Sequence, residues 1–196
     1  MKYVNLTATG EDTAFVLAKA MHLLHGFNAG REANNRIAVA FPAWADAIFD
    51  ERGKRVQKVR MGAVLRLFAT ENQLEAFLAS AGPQRLCRLG AVEASPVQTV
   101  PANCQAVRFV RDRTFERGHP NGAYARRQQR RAQAKGMECH ARVTPHQQSF
   151  SLALKSKSTG NEFCLDIRKE LYEQAYSLQN ITAYGLCGEG AAVPVF

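Results

Sequence analysis

The chain has 196 residues, 46% of them hydrophobic, and a net charge of +9, which gives enough apolar surface for one large or two small cores. No window approaches the apolar length of a membrane span and MKYVNLTATGED lacks a signal-peptide core, so a soluble, cytoplasmic protein without a membrane partner is expected. The five cysteines are odd in number, scattered and without a C-x-x-C pair, and phosphate-loop, dinucleotide and zinc-protease signatures are absent. A disulfide framework, a structural zinc site, a metal and a cofactor are therefore not expected.

In chain order, residues 1–7 (MKYVNLT) read as a strand, and Thr13 to Leu24 read as a helix ended by His25-Gly26, with Gly26 at the usual stop position. RIAVAF (36–41) is an apolar strand closed by Pro42, and VQKVRMGAVLRLFAT (56–70) is a second strand region. Thr70-Glu71-Asn72-Gln73 is a capping box for a helix running to about Ser80, and RLCRLGAVEA (85–94) reads as the last strand. The order β-α-β-β-α-β is the ferredoxin-like pattern, which RNA-recognition domains also use.

SPVQTVPAN (95–103) is Pro-rich and polar and reads as a linker, dividing the chain into 1–97 and 98–196. After it come a short strand with alternating arginines (VRFVRDR), a basic helix, a polar stretch at 136–149, and a hairpin, SFSLALKSKSTGNEFCLDIR, that turns at Thr159-Gly160-Asn161. The expected class is thus α+β. A ferredoxin-like N-terminal domain precedes a C-terminal domain with an arginine-rich helix and a β-hairpin.

The charge is concentrated. Between Arg108 and Lys135 there are nine Lys or Arg against Asp112 and Glu116. In ARRQQRRAQAKG (125–136), Arg126, Arg130, Arg127 and Arg131 fall at about 0°, 40°, 100° and 140° around a helix, so all four share one side. A solvated face mixes signs at i,i+4, whereas 126/130 and 127/131 are like-charge pairs, each costing a few tenths of a kcal/mol. An anionic partner relieves that repulsion. The opposite side carries Ala132, Gln128 and Gln129 rather than large apolar residues, which points to nucleic acid and not to a membrane surface.

His22 and His25 are neighbours on the first helix, and a purely structural role is the simpler reading of either one. His25 differs because GFNAG follows it, placing it at a helix end beside a loop, where the helix dipole should favour its protonated form and hold its pKa near working pH. His119, His140 and His146 lie in polar contexts and receive no role. An RNA-binding protein with such a histidine has one reaction that needs no metal: the ribose 2′-hydroxyl attacks its own 3′-phosphate, given a general base, orientation and charge stabilisation.

Four segments together resemble the CRISPR-RNA-processing endoribonuclease of type I-F systems. They are LLHGFN followed by RIAVAFPAW, the spacing of RRQQRR, the hairpin KSKSTGNEFCLDIR, and the closing AYGLCGEGAAVPVF. The first is most similar to the transposon-associated branch. The resemblance touches both halves of the chain and implies an N-terminal ferredoxin-like domain and a C-terminal domain bearing the arginine helix. It also implies metal-independent cleavage of CRISPR repeat RNA at the base of a stem-loop, leaving a 2′,3′-cyclic phosphate and a 5′-hydroxyl. The product stays bound, and the protein remains on the crRNA 3′ hairpin with the other subunits of a surveillance complex in antiviral defence.

Carried over residue by residue, the resemblance makes His25 the general base, with His22 an alternative, Ser156 the group that orients the 2′-hydroxyl, and Tyr184 the support of the histidine. It places Phe163 on the terminal base pair, Arg111 on a guanine near the cut, Ser158 close to the RNA, and Arg126, Arg127, Arg130 and Arg131 along the stem. Arg113 stands where the family commonly has Gln and is taken as a further RNA contact. Two other readings compete: a non-catalytic hairpin-binding subunit of the same kind of complex, and a general RNA chaperone.

Overall fold

In the computed structural model, strand β1 (Lys2–Ala8) is central to the first sheet, with Tyr3, Val4, Leu6 and Ala8 buried. The structure describes residues 1–113, 123–136, 148–155 and 160–196. Helix α1 (Thr13–Asn28) follows β1, then β2 (Ala38–Ala40), a small hairpin of β3 (Ile48–Phe49) and β4 (Arg55–Gln57), and β5 (Val64–Ala69). Helices α2 (Glu71–Leu78) and α3 (Ala81–Arg88) lead to β6 (Val92–Ala94) and β7 (Gln98–Thr99). The sheet order is β2-β5-β1-β6, every pairing antiparallel, with β7 also on β1. With the β3–β4 hairpin set aside as an insertion, this is the split βαββαβ arrangement of a ferredoxin-like domain, as the strand pattern predicts.

The second sheet has the order β11-β8-β10-β9, formed by β8 (Gln105–Arg111), β9 (Ser149–Lys155), β10 (Glu162–Tyr172) and β11 (Val193–Val195), again antiparallel. The basic helix, α4 (Ala123–Ala134), lies in sequence between β8 and β9. The two sheets share one core. Leu17, Met21 and Leu24 of α1, Leu65 and Leu67 of β5, and Phe109, Leu165 and Ile167 of the second sheet belong to a single buried cluster. Phe109 meets Phe41 and Trp44 edge to face, at centroid distances of 5.0 and 5.5 Å.

Four sequence expectations need correcting. Residues 85–94 are not one strand: α3 runs to Arg88, and Gly90, at φ 64°, closes it in a Schellman turn, with Gly90 N–H donating to Cys87 and Ala91 N–H to Leu86. Only Val92–Ala94 is extended. Residues 56–70 divide in two at Gly62, whose φ of 77° and close approach to Ala43, 2.4 Å for an added Cβ, exclude a side chain. The 36–41 strand is reduced to Ala38–Ala40, since the Ile37 N–H is taken by the Asn28 side chain.

The first helix, finally, does not stop at Gly26. It continues to Asn28, whose buried side chain accepts from Ile37 N–H at 3.1 Å and donates to Ile37 C=O at 3.0 Å. That tertiary clip outweighs the local stop signal, which is worth about 1 kcal/mol. The capping box at Thr70 and Gln73 is present in both its bonds. Within the expected linker, Gln98 and Thr99 pair with Tyr3 and Lys2.

Candidate active site

His25 lies in the last turn of α1, and the Asn28 clip, one turn on, fixes that turn against β2. Its ring lies parallel to that of Tyr184, with centroids 4.2 Å apart and an interplanar angle of 11°. Tyr184 comes from the loop before β11, and that loop is pinned from both sides. Gly185 C=O accepts from Val39 N–H at 2.9 Å, and the Thr182 hydroxyl accepts from Leu186 N–H at 3.1 Å. Gly185 takes φ 80°, and an added Cβ there would come within 2.7 Å of Val39 and 3.0 Å of both the Ile37 carbonyl oxygen and Leu24. A glycine after Tyr184 is therefore a packing requirement. Phe163 of β10 also meets Tyr184, in an edge-type contact at 6.4 Å and 67°.

The histidine pKa is lowered, first by burial and then by the Arg36 guanidinium. This reverses the expectation drawn from the helix dipole: desolvation and a fixed cation outweigh the partial charge of the helix end. Arg36 is held by donating to Arg31 C=O and Ile181 C=O, both at 2.9 Å. The enclosed Nδ1 of His25 has no hydrogen-bond partner among the described residues. Burial raises the Tyr184 pKa, opposed by Arg111, so this cation is within electrostatic reach of the phenol. Arg111 ends β8, opposite Ile167 of β10.

The site thus assembles a neutral imidazole, the aromatic rings of Tyr184 and Phe163, and a guanidinium, drawn from α1, β8, β10 and the loop before β11. Such a set can accept a proton, hold a flat group by stacking and stabilise negative charge. His22 lies one turn earlier on α1. It lines a groove with Phe15 and Lys19. Arg113 is exposed just beyond β8, and Arg127, Arg130 and Arg131 are exposed on α4. Arg126 is in the same helix, and Ser156 and Ser158 lie outside the described residues.

Where the chain leaves β8 for α4, two aspartates are buried, both 3% exposed: Asp112 accepts from the Ser149 hydroxyl and Asp166 from that of Ser151. Asp112 N–H also donates to Asp166 C=O at 2.8 Å, tying the end of β8 to β10. Sequence reasoning missed these acids, together with Arg36, Asn28 and the packing role of Gly185. Only the Tyr-Gly-Leu motif marked any of them.

No helix among the described residues is long and apolar enough to cross a membrane. Groups of three or more His, Cys, Asp or Glu able to hold a metal ion are also absent among those residues. No curated protein matches the chain. Residues 3–196 match the model of a family described as CRISPR-associated protein (Cas_Csy4).

Proposed function

The chain belongs to the Cas_Csy4 family and is a CRISPR-associated RNA-processing protein, and on that premise we propose that it is a metal-independent endoribonuclease that cuts CRISPR repeat RNA at the base of a stem-loop. The observation that carries this reading is the His25–Tyr184 stack with Phe163 beside it, at the end of α1. His25 Nε2 takes the proton of the ribose 2′-hydroxyl, and the 2′-oxygen forms a bond to the adjacent phosphorus. The bond from phosphorus to the 5′-oxygen then breaks, and the leaving oxygen takes up a proton. The products are a 2′,3′-cyclic phosphate and a 5′-hydroxyl.

Each remaining residue has a part in this reading. Tyr184 fixes the imidazole plane, Ser156 orients the 2′-hydroxyl, and Phe163 stacks on the terminal base pair, worth about 1 to 3 kcal/mol. Arg111 pairs with a guanine near the cut in the bidentate manner of guanidinium with O6 and N7, and Arg113 and Ser158 add RNA contacts. Arg126, Arg127, Arg130 and Arg131 grip stem phosphates, because the deep A-form major groove hides its base edges and leaves shape as the main signal. Residues 1–97 carry the catalytic histidine, and 98–196 hold the hairpin. The product stays bound, and the protein serves as the 3′-hairpin subunit of a type I-F surveillance complex.

One observation favours a second reading. A base acting through Nε2 carries its proton on Nδ1, and that atom has no acceptor among the described residues, as suits a hairpin-binding subunit that does not cut. Incubation with the repeat stem-loop in EDTA separates the two. A cyclic-phosphate product supports the nuclease, and tight binding of intact RNA supports the subunit.

A further inference from the structure

The loop that carries Tyr184 is a tight turn. Ile181 and Cys187 pair across its base, and inside it Thr182 N–H donates to Leu186 C=O and Gly185 N–H to Thr182 C=O, both at 2.9 Å. The short segment that joins α1 to β2 fastens this turn beside the histidine. Buried Ile181 donates its N–H to Ala33 C=O at 3.1 Å, and its C=O accepts from Arg36 Nη1 at 2.9 Å. The Nε of the same guanidinium donates to Arg31 C=O, also at 2.9 Å, so one planar fork spans the chain just past α1 and the base of the Tyr184 turn.

The same cation bears on the base. Burial acts first on His25 and the Arg36 charge second, both disfavouring the imidazolium. Other ionisable groups on the elements that meet here include His22 on α1, Tyr184 on the loop, Arg111 on β8 and Glu162 on β10, and the fixed charge that bears on the imidazole is that of Arg36. Arg108 of β8 grips the far end of the same loop, donating to Ala191 C=O at 3.0 Å and to Gly188 C=O at 2.8 Å, and pairs with Glu170 at 2.9 Å. Its charge is not one of those that shift His25.

We propose that Arg36 is a positioning residue of the cleavage site, which ties the Tyr184 turn to the end of α1 and sets a fixed positive charge against His25. The inference rests on the proposed function for its effect on cleavage. One side chain thus has two separable consequences. The fork holds Tyr184 against the imidazole and so keeps the base in its place. The charge leaves the imidazole free to accept a proton at neutral pH, and makes the imidazolium formed by that transfer readier to give the proton up. A lysine keeps a cation but has no planar fork with which to hold two carbonyls, and a glutamine has neither the charge nor the fork.

Arg36→Lys, Arg36→Gln and Arg108→Gln are compared with the wild type in two measurements. One is the titration of His25 followed by NMR without RNA, and the other is single-turnover cleavage of a repeat stem-loop in EDTA as a function of pH. Arg36→Gln is expected to move the His25 titration, and with it the acid limb of the rate profile, to higher pH, while Arg36→Lys and Arg108→Gln titrate as the wild type does. Loss of the fork should lower the plateau rate of both Arg36 variants, by up to about 10²-fold for a displacement of about 1 Å. A His25 titration unmoved by Arg36→Gln, a shift of the same size in Arg108→Gln, or a wild-type plateau rate in Arg36→Lys would each overturn the proposal. If Arg36→Gln fails to fold, the plateau rate of Arg36→Lys, which keeps the charge, decides. RNA left intact by the wild type would overturn the functional reading instead, and the titration, which needs no cleavage, still shows whether Arg36 acts on His25.

Discussion

Replacing Gly185 by alanine separates two roles that a single glycine plays beside the candidate base. The residue sits at φ 80°, where an L side chain costs about 1 to 2 kcal/mol. Its new Cβ would also lie 2.7 Å from Val39 and 3.0 Å from the Ile37 carbonyl oxygen, so the loop must move away from β2, and overpacking of this kind costs about 1 to 3 kcal/mol. We therefore expect Gly185→Ala to lose about 2 to 5 kcal/mol, or roughly 4 to 20 °C in melting temperature for a chain of this size. Because the adjacent Tyr184 is stacked on His25, cleavage by the folded fraction should fall as well.

The comparison is Gly190→Ala, at φ 73° with nothing within 4 Å of an added Cβ. That change carries the backbone cost alone, about 1 to 2 kcal/mol, and leaves cleavage unchanged. Urea denaturation and single-turnover cleavage of a repeat stem-loop read the two effects separately. Equal losses of stability in both variants would refute the claim that close packing against Val39 positions the tyrosine.

Three further outcomes follow from the same geometry. Since burial and Arg36 lower the His25 pKa, the imidazole is neutral throughout the region above its ordinary value. Single-turnover cleavage should then be flat from about pH 6.5 upward and fall only on acidification below it, and a midpoint at or above 6.5 would contradict the assigned environment. Asn28→Ala removes both bonds of the clip and leaves the buried main chain of Ile37 unpaired, so urea denaturation should register a loss of about 2 to 4 kcal/mol. Arg127→Ala with Arg130→Ala should weaken hairpin binding and reduce the slope of log affinity against log salt by roughly 0.7 to 0.9 per lost phosphate contact, whereas an unchanged slope would remove these arginines from the phosphate backbone.

Much of this architecture was legible in local chemistry. β1 and the β9–β10 hairpin follow from alternation, and the helix start at Thr70 from reciprocal bonding between Thr70 and Gln73. What was not legible came from long-range contacts. Gly26 carries a stop signal that the Asn28–Ile37 clip overrides, and RLCRLGAVEA reads as one strand although Gly90 ends a helix within it. The lowered His25 pKa follows first from burial by the fold and then from Arg36, whose position is set by main-chain carbonyls of Arg31 and Ile181. The resemblance implies Tyr184 as the support of the histidine, and the parallel stack is the contact on which that proposed role rests. Ser156 and Ser158 lie outside the described residues, and their roles rest on the resemblance alone.

The central claim is that His25 is the base of an RNA-cleaving site, and substitution at that residue tests it most directly. Wild type and His25→Ala are incubated with the repeat stem-loop in EDTA, with single-turnover rate and binding affinity measured on the same RNA. The account predicts a cyclic-phosphate product whose formation slows by about 10² to 10⁴ in the variant while binding is retained, the range expected for loss of one general base. Cleavage by His25→Ala at the wild-type rate, or intact RNA with both proteins, would contradict it.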